Sequence, residues 1–175
     1  MDDKRTLNLL GALALSLVDN LNVVAEANAG YGGETPAALV SLGAEPGISI
    51  NVLRQILNLS HPGTVRLVDR LEAQGLVERR SGSDGRTLAL FLTDAGSERR
   101  QAILAERRRQ LQLALNALTS DEASQLTTFL EKMLTAMTTD EQRAFAICRL
   151  CDEAVCPGDR CPVEQQYCQL RQQSS

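Results

Sequence analysis

From Ile48 to Gly96 the chain reads ISINVLRQILNLSHPGTVRLVDRLEAQGLVERRSGSDGRTLALFLTDAG, and few folds accommodate that order of signals. Leu53, Ile56 and Leu57 recur at helical spacing. Asn58 tolerates the left-handed conformation that ends a helix, and Ser60 is a good N-cap for a second one. Pro62 falls in the first turn, where its missing N–H has no partner to lose. Val65, Val68 and Leu71 are expected to point inward, so Gly63, Arg66 and Arg70 share the opposite face. Gly75 closes the helix. Leu76-Val77 and Leu88, Leu90 and Leu92 follow as two short strands, with SGSDG at 81–85 as the hairpin tip.

Two helices joined by a short turn, the second carrying Arg outward, have the form of a helix-turn-helix. Any packed helix pair with a solvated basic face fits that description equally well. The hairpin tips the balance. Arg79, Arg80 and Arg86 crowd around its tip, and a helix-turn-helix followed at once by a basic hairpin is a winged helix. In that arrangement the second helix enters the major groove. The wing lays an Arg along the backbone or into the narrow minor groove, where negative potential is concentrated.

The flanks read as helices. Leu7, Leu10, Leu13, Leu17, Leu21 and Val24 mark one apolar face between about Thr6 and Ala27, which GYGG at 30–33 interrupts. A short helix from about Thr35 to Leu42 has Pro36 in its first turn, and EPG at 45–47 is a turn. Thr93 caps a long helix to about Leu118, with ERRRQ at 106–110 as a solvated face. Another helix starts at SDE, 120–122, with Leu126, Phe129, Leu130, Met133, Leu134 and Met137 as core or dimer seam. With no Trp and 3% aromatics, the core must be Leu, Ala, Val and Ile. The expected fold is therefore mainly α with a small β-hairpin wing. It divides into a dimerisation helix (1–30), a winged helix-turn-helix (34–96), further dimerisation helices (97–147) and a cysteine-rich segment (148–168). No apolar run reaches the ~20 residues that span a bilayer, and a soluble cytoplasmic protein is expected.

The net charge is −4, yet it is unevenly spread. Residues 1–50 carry a net −4, whereas 54–86 hold six Arg against four acids. A basic centre between acidic ends is compatible with a local phosphate-binding surface.

All five cysteines lie between Cys148 and Cys168, and the first 147 residues have none. Cys148, Cys151, Cys156 and Cys161 fall within fourteen residues, and Pro157, Gly158 and Pro162 favour a compact loop that returns the later sulfurs to the earlier ones. Thiolates held so close repel unless a cation joins them, so a metal site ranks first, an iron–sulfur cluster ahead of structural zinc. Cys168 is spare or a substitute ligand. A reversible dithiol switch ranks second and incidental thiols third.

The segment 59–96 resembles the MarR family of bacterial winged-helix transcription regulators, a likeness extending over about residues 5–140. The family pattern R-L-x-x-x-G-L-V-x-R is matched by Arg70, Leu71, Gly75, Leu76, Val77 and Arg79; D-x-R by Asp84 and Arg86; L-T-x-x-G by Leu92, Thr93 and Gly96. The resemblance implies a homodimer formed by the first helix and the last two, reading a pseudo-palindromic site in double-stranded DNA. It implies a repressor, less often an activator, with affinity altered by a small-molecule effector or by oxidation, and no catalytic residues. His61, Gly63, Thr64, Arg66 and Arg70 would face the major groove or its phosphates, Arg80 would lie on the wing, and Arg86 would enter the minor groove with Asp84 orienting it. Where the family has a small residue after the Leu of the first motif helix, Arg54 stands here; it either alters helix packing or adds a phosphate contact.

Two other classes compete: a small redox or metal protein using the helical body as a scaffold, and a dimeric adaptor that has lost DNA binding. Arg66, Arg70 and Arg86 together argue against the adaptor. With one His, no phosphate loop and no nucleophile motif, the chain is a poor enzyme.

Overall fold

The computed structural model of the protein describes residues 3–29, 33–81 and 88–173, the side chains of 22–29 excepted. Its elements are α1 (Asp3–Ala29), α2 (Thr35–Ala44), α3 (Ile50–Leu57), α4 (His61–Ala73), β1 (Val77–Ser81), β2 (Leu88–Leu92), α5 (Asp94–Leu115), α6 (Ser120–Met137), α7 (Glu141–Cys148) and α8 (Pro162–Gln173).

The core forms where α2, α3, α4 and the hairpin meet. Leu39, Leu42, Leu53, Leu71, Leu90, Val40 and Val68 are fully buried there. Each such side chain contributes on the order of 1.5–3 kcal/mol. Helix α2 is buried from Thr35 to Leu42, as its near-continuous apolar sequence requires. Strands β1 and β2 pair antiparallel, Val77 with Leu92 through Ser81 with Leu88. The chain before α3 adds a third short edge: Gly47 N–H donates to the Leu90 carbonyl (2.8 Å) and Leu90 N–H to that of Ile48 (3.0 Å). The turn expected at 45–47 therefore leads into a strand-like edge.

Local signals place the joints. Asn58 has φ 52°, and Ser60 Oγ accepts the Gly63 N–H at 3.3 Å. Gly75, at φ 69°, ends α4 and turns the chain into β1. Thr93 Oγ1 accepts the Gly96 N–H (3.1 Å) and donates to the Gly75 carbonyl (2.6 Å), tying the start of α5 to that turn. Gly96 is required by contact, since a Cβ there would lie 2.0 Å from the Leu76 carbonyl oxygen. Thr119 and Glu122 form a reciprocal capping box at the start of α6.

Helix α1 packs along α5, and α8 along α6. Leu7, Leu10 and Leu13 are nonetheless exposed, Leu17 and Leu21 are half-buried, and the Val24 side chain lies outside the described residues. No residue of α6 is buried, and Phe129, Leu130, Met133 and Met137 lie open. Among the described residues no helix is long and apolar enough to cross a membrane.

Helix α8 is absent from the sequence reading, which ended the cysteine segment in a loop. Pro162 at its first position, with Val163, Tyr167 and Leu170 at helical spacing, carried the signal.

Candidate nucleic-acid interface and cysteine cluster

Helix α4 divides into two faces. Thr64, Leu67, Val68 and Leu71 are buried, while His61, Arg66, Asp69 and Arg70 are exposed and Gly63 is half-buried. Two corrections follow. Val65 is only half-buried; Leu67 takes the inner position. Thr64 does not face a groove: it is wholly buried, and its hydroxyl donates to the Ser60 carbonyl at 3.1 Å. Its step of four to Val68 and seven to Leu71 puts it on the inner stripe.

Arg66 stands on the outer face. Arg70 leans toward the start of α2, with its guanidinium 3.4 Å from Thr35 Oγ1. Leu53 is fully buried with Arg54 half-buried beside it, so that Arg leaves the motif's first helix packed.

Sequence reading missed the role of Arg79. It reaches back from β1 and pairs with both Asp69 and Glu72 of α4. The two acids on the outer side of α4 are thus partly compensated by the wing strand, and the wing is tied to the helix. Arg80 pairs with Glu78 while its guanidinium lies 4.6 Å from the centre of the Phe91 ring, a cation–π contact that holds it to the wing. Asp84 and Arg86 lie outside the described residues.

The C-terminal segment is anchored on this unit. Gln142 Nε2 donates to the Gln55 carbonyl of α3 (2.7 Å), and Phe145 and Leu150 pack on the main core. Asp152 pairs with Arg108 of α5 at 3.2 Å, and the Tyr167 hydroxyl donates to Glu141 at 2.7 Å, joining α8 to α7. Asp140 caps α7 by accepting the Arg143 N–H at 2.8 Å.

All five cysteines are free thiols. Cys148 ends α7, the Cys151 N–H donates to its carbonyl (2.8 Å), and Cys161 immediately precedes α8. Cys148, Cys151, Cys156 and Cys161 line a cavity of about 260 Å³, walled also by Glu45, Glu153 and Glu164. Hydrogen bonding from Cys148 draws the Cys151 thiol down to about 6, and the same contact raises Cys148. Burial pushes Cys156 up to about 11. Burial, then the nearby Glu45 carboxylate, raises Glu153. Among the described residues no group of three or more His, Cys, Asp or Glu is placed to hold a single metal ion. Cys168 is exposed on α8, 3.6 Å from Glu164, and does not line the cavity.

A third feature is an apolar groove of about 580 Å³ between α1, α5 and α6, lined by Leu13, Leu17, Leu111, Leu118, Phe129 and Leu130 among others.

A capped helix with Arg on its outer face, followed by a two-stranded basic hairpin, defines a winged helix-turn-helix. The sequence profile of the MarR family matches residues 30–87. The chain is 32% identical over 129 residues to the transcriptional repressor MprA of Escherichia coli K12, covering 72% of this chain and 73% of that protein. In structure it is similar to the YusO protein of Bacillus subtilis, with a TM-score of 0.67, 22% identity, and 78% of this chain and 99% of that one covered. A mutant of S. aureus MepR bound to an oligodeoxyribonucleotide is similar at TM-score 0.58 and 21% identity, covering 74% of this chain and 95% of that one. The chain belongs to the MarR family and is a transcriptional regulator.

Proposed function

We propose that the protein is a sequence-specific repressor that binds double-stranded DNA as a homodimer, under the control of its C-terminal cysteine segment. The outer face of α4 carries the reading: Arg66 and Arg70 share it, and its acids Asp69 and Glu72 are both engaged by Arg79. In the major groove such Arg side chains pair bidentately with guanine or with phosphate. With Arg66, Arg70 and Arg79 set against Asp69 and Glu72, the positive charges outnumber the negative ones on this face. Arg80, and Arg86 at the wing tip, would follow the sugar-phosphate chain or minor groove.

The apolar groove between α1, α5 and α6 supports the dimer. Exposed Leu7, Leu10, Leu13, Phe129 and Leu130 form an unpartnered surface of the kind that a second copy covers. Two α4 helices related by a twofold axis then meet half-sites one helical turn apart, ~34 Å. The sign of regulation is taken from MprA, a repressor by name. A cleft of about 270 Å³ between α5 and the tail, lined by Leu104, Leu111, Val155, Arg107 and the Arg108–Asp152 pair, would suit a small, largely apolar effector.

Selection from a pool of random duplexes tests the proposal. A recovered site with two inverted half-sites, bound by two chains, is the expected result; no enrichment, or a site without symmetry, overturns it.

A further inference from the structure

We infer that Cys148, Cys151, Cys156 and Cys161 hold an iron–sulfur cluster in the seam between the winged helix and the helices outside it. This names the occupant of the controlling segment proposed above, and it rests on that reading only for its effect on DNA.

The donor set narrows the choice first. Four thiols line the cavity without an imidazole, since His61, the only His, begins α4. Thiolate sites select zinc, monovalent copper or iron–sulfur clusters. Spacing separates these. Structural zinc sites join two Cys pairs across a dozen or more residues, whereas here one short pair, Cys148 and Cys151, is followed within ten residues by Cys156 and Cys161, each next to a proline. A compact Cys run with a Cys-Pro step is the ligand pattern of iron–sulfur clusters. All four thiols line one cavity of about 260 Å³.

The chain's course fits the same occupant. Cys148 ends α7 and Cys151 follows it, a turn at Gly158–Arg160 intervenes, and Cys161 immediately precedes α8. Cys168 is exposed on α8 and does not line the cavity. Glu45, at the end of α2, brings the winged helix into the cavity wall.

The position gives the cluster leverage. Cys148 belongs to α7, whose Gln142 and Phe145 rest on α3 and the main core, and Cys161 leads into α8, which lies along α6. The cluster would therefore fasten the dimer helix α6 to the helix preceding the recognition helix.

The test uses the full chain, produced with ample iron and purified without oxygen, as wild type, Cys156→Ser and Cys168→Ser. Metal and acid-labile sulfide are assayed alongside visible absorption and circular dichroism. The expected result is iron and sulfide in equal amounts with broad visible absorption in wild type and Cys168→Ser, lost in Cys156→Ser with helical content retained. Zinc as the sole metal, five free thiols without metal, or a cluster lost in Cys168→Ser would each overturn the assignment. Duplex binding on the same preparations separates the two readings. Iron and sulfide without any duplex binding uphold the cluster and overturn the DNA reading; duplex binding by metal-free wild type with no iron does the reverse.

Discussion

Replacing Gly96 by Ala places a methyl group 2.0 Å from the Leu76 carbonyl oxygen, 3.0 Å from its carbon and 3.3 Å from Leu92 Cδ2, where ordinary contact begins near 3.4 Å. The first turn of α5 must then move by about 1.4 Å from the backbone of Leu76. It is not free to do so. Thr93 N–H donates to that same carbonyl at 3.1 Å, and Thr93 Oγ1 holds both Gly96 N–H and the Gly75 carbonyl. Overpacking of this kind costs about 1–3 kcal/mol. Each hydrogen bond lost adds ~1 kcal/mol, and the helix preference of Ala returns up to ~1 kcal/mol. The net loss is about 2–4 kcal/mol, read as a lower urea midpoint at unchanged slope. Gly63→Ala is the control: its Cβ meets only Ser60 Oγ, at 3.1 Å, and the change should stay within about 1 kcal/mol. A Gly96→Ala midpoint equal to wild type would refute the argument that close approach fixes this glycine.

Arg79→Met leaves Asp69 and Glu72 uncompensated beside the outer face of α4, yet removes only partly exposed ion pairs. Stability should change by less than ~1 kcal/mol while duplex affinity falls, measured by urea titration and fluorescence polarisation. Leu130→Glu puts a charge into the apolar groove, and sedimentation should find a monomer with the winged-helix core intact. Asp140 accepts the Arg143 N–H and the Thr139 hydroxyl proton, which holds its carboxyl below the usual range. Its contribution is present above the unfolded value and lost as pH falls through the folded one. Asp140→Asn keeps an acceptor oxygen but not that titration, so melting curves of the two proteins should converge as the solution is acidified.

The helix-turn-helix was legible because local rules govern it. Asn58 at the left-handed position, Ser60 and Thr93 as caps, and Gly75 at the turn each act through neighbours a few residues away. The faces of α4 were legible to within one residue: the inner stripe is 64, 67, 68 and 71, and placing Val65 on it pushed Thr64 outward. Arg79 could not be assigned from sequence, because its partners Asp69 and Glu72 become neighbours only once β1 folds back beside α4. The same holds for Arg70 and Thr35, which are 35 residues apart. In the tail, Cys spacing indicated convergence, but whether four sulfurs meet at a point or around a volume is a tertiary property. There Cys161-Pro162 fits a loop and a helix start alike, because Pro is at home in the first turn of a helix, and α8 begins at that Pro.

The account depends most on the outer face of α4 meeting a phosphate backbone in a twofold assembly. Polarisation of a labelled duplex carrying the selected site, titrated with protein between ~50 and ~200 mM salt, tests that directly. The account predicts two chains per duplex and an affinity that falls steeply, by about 10³-fold or more if at least six phosphates are neutralised, with a shallower slope for Arg66→Ala. Binding that ignores salt, or saturates at one chain per duplex, would contradict it.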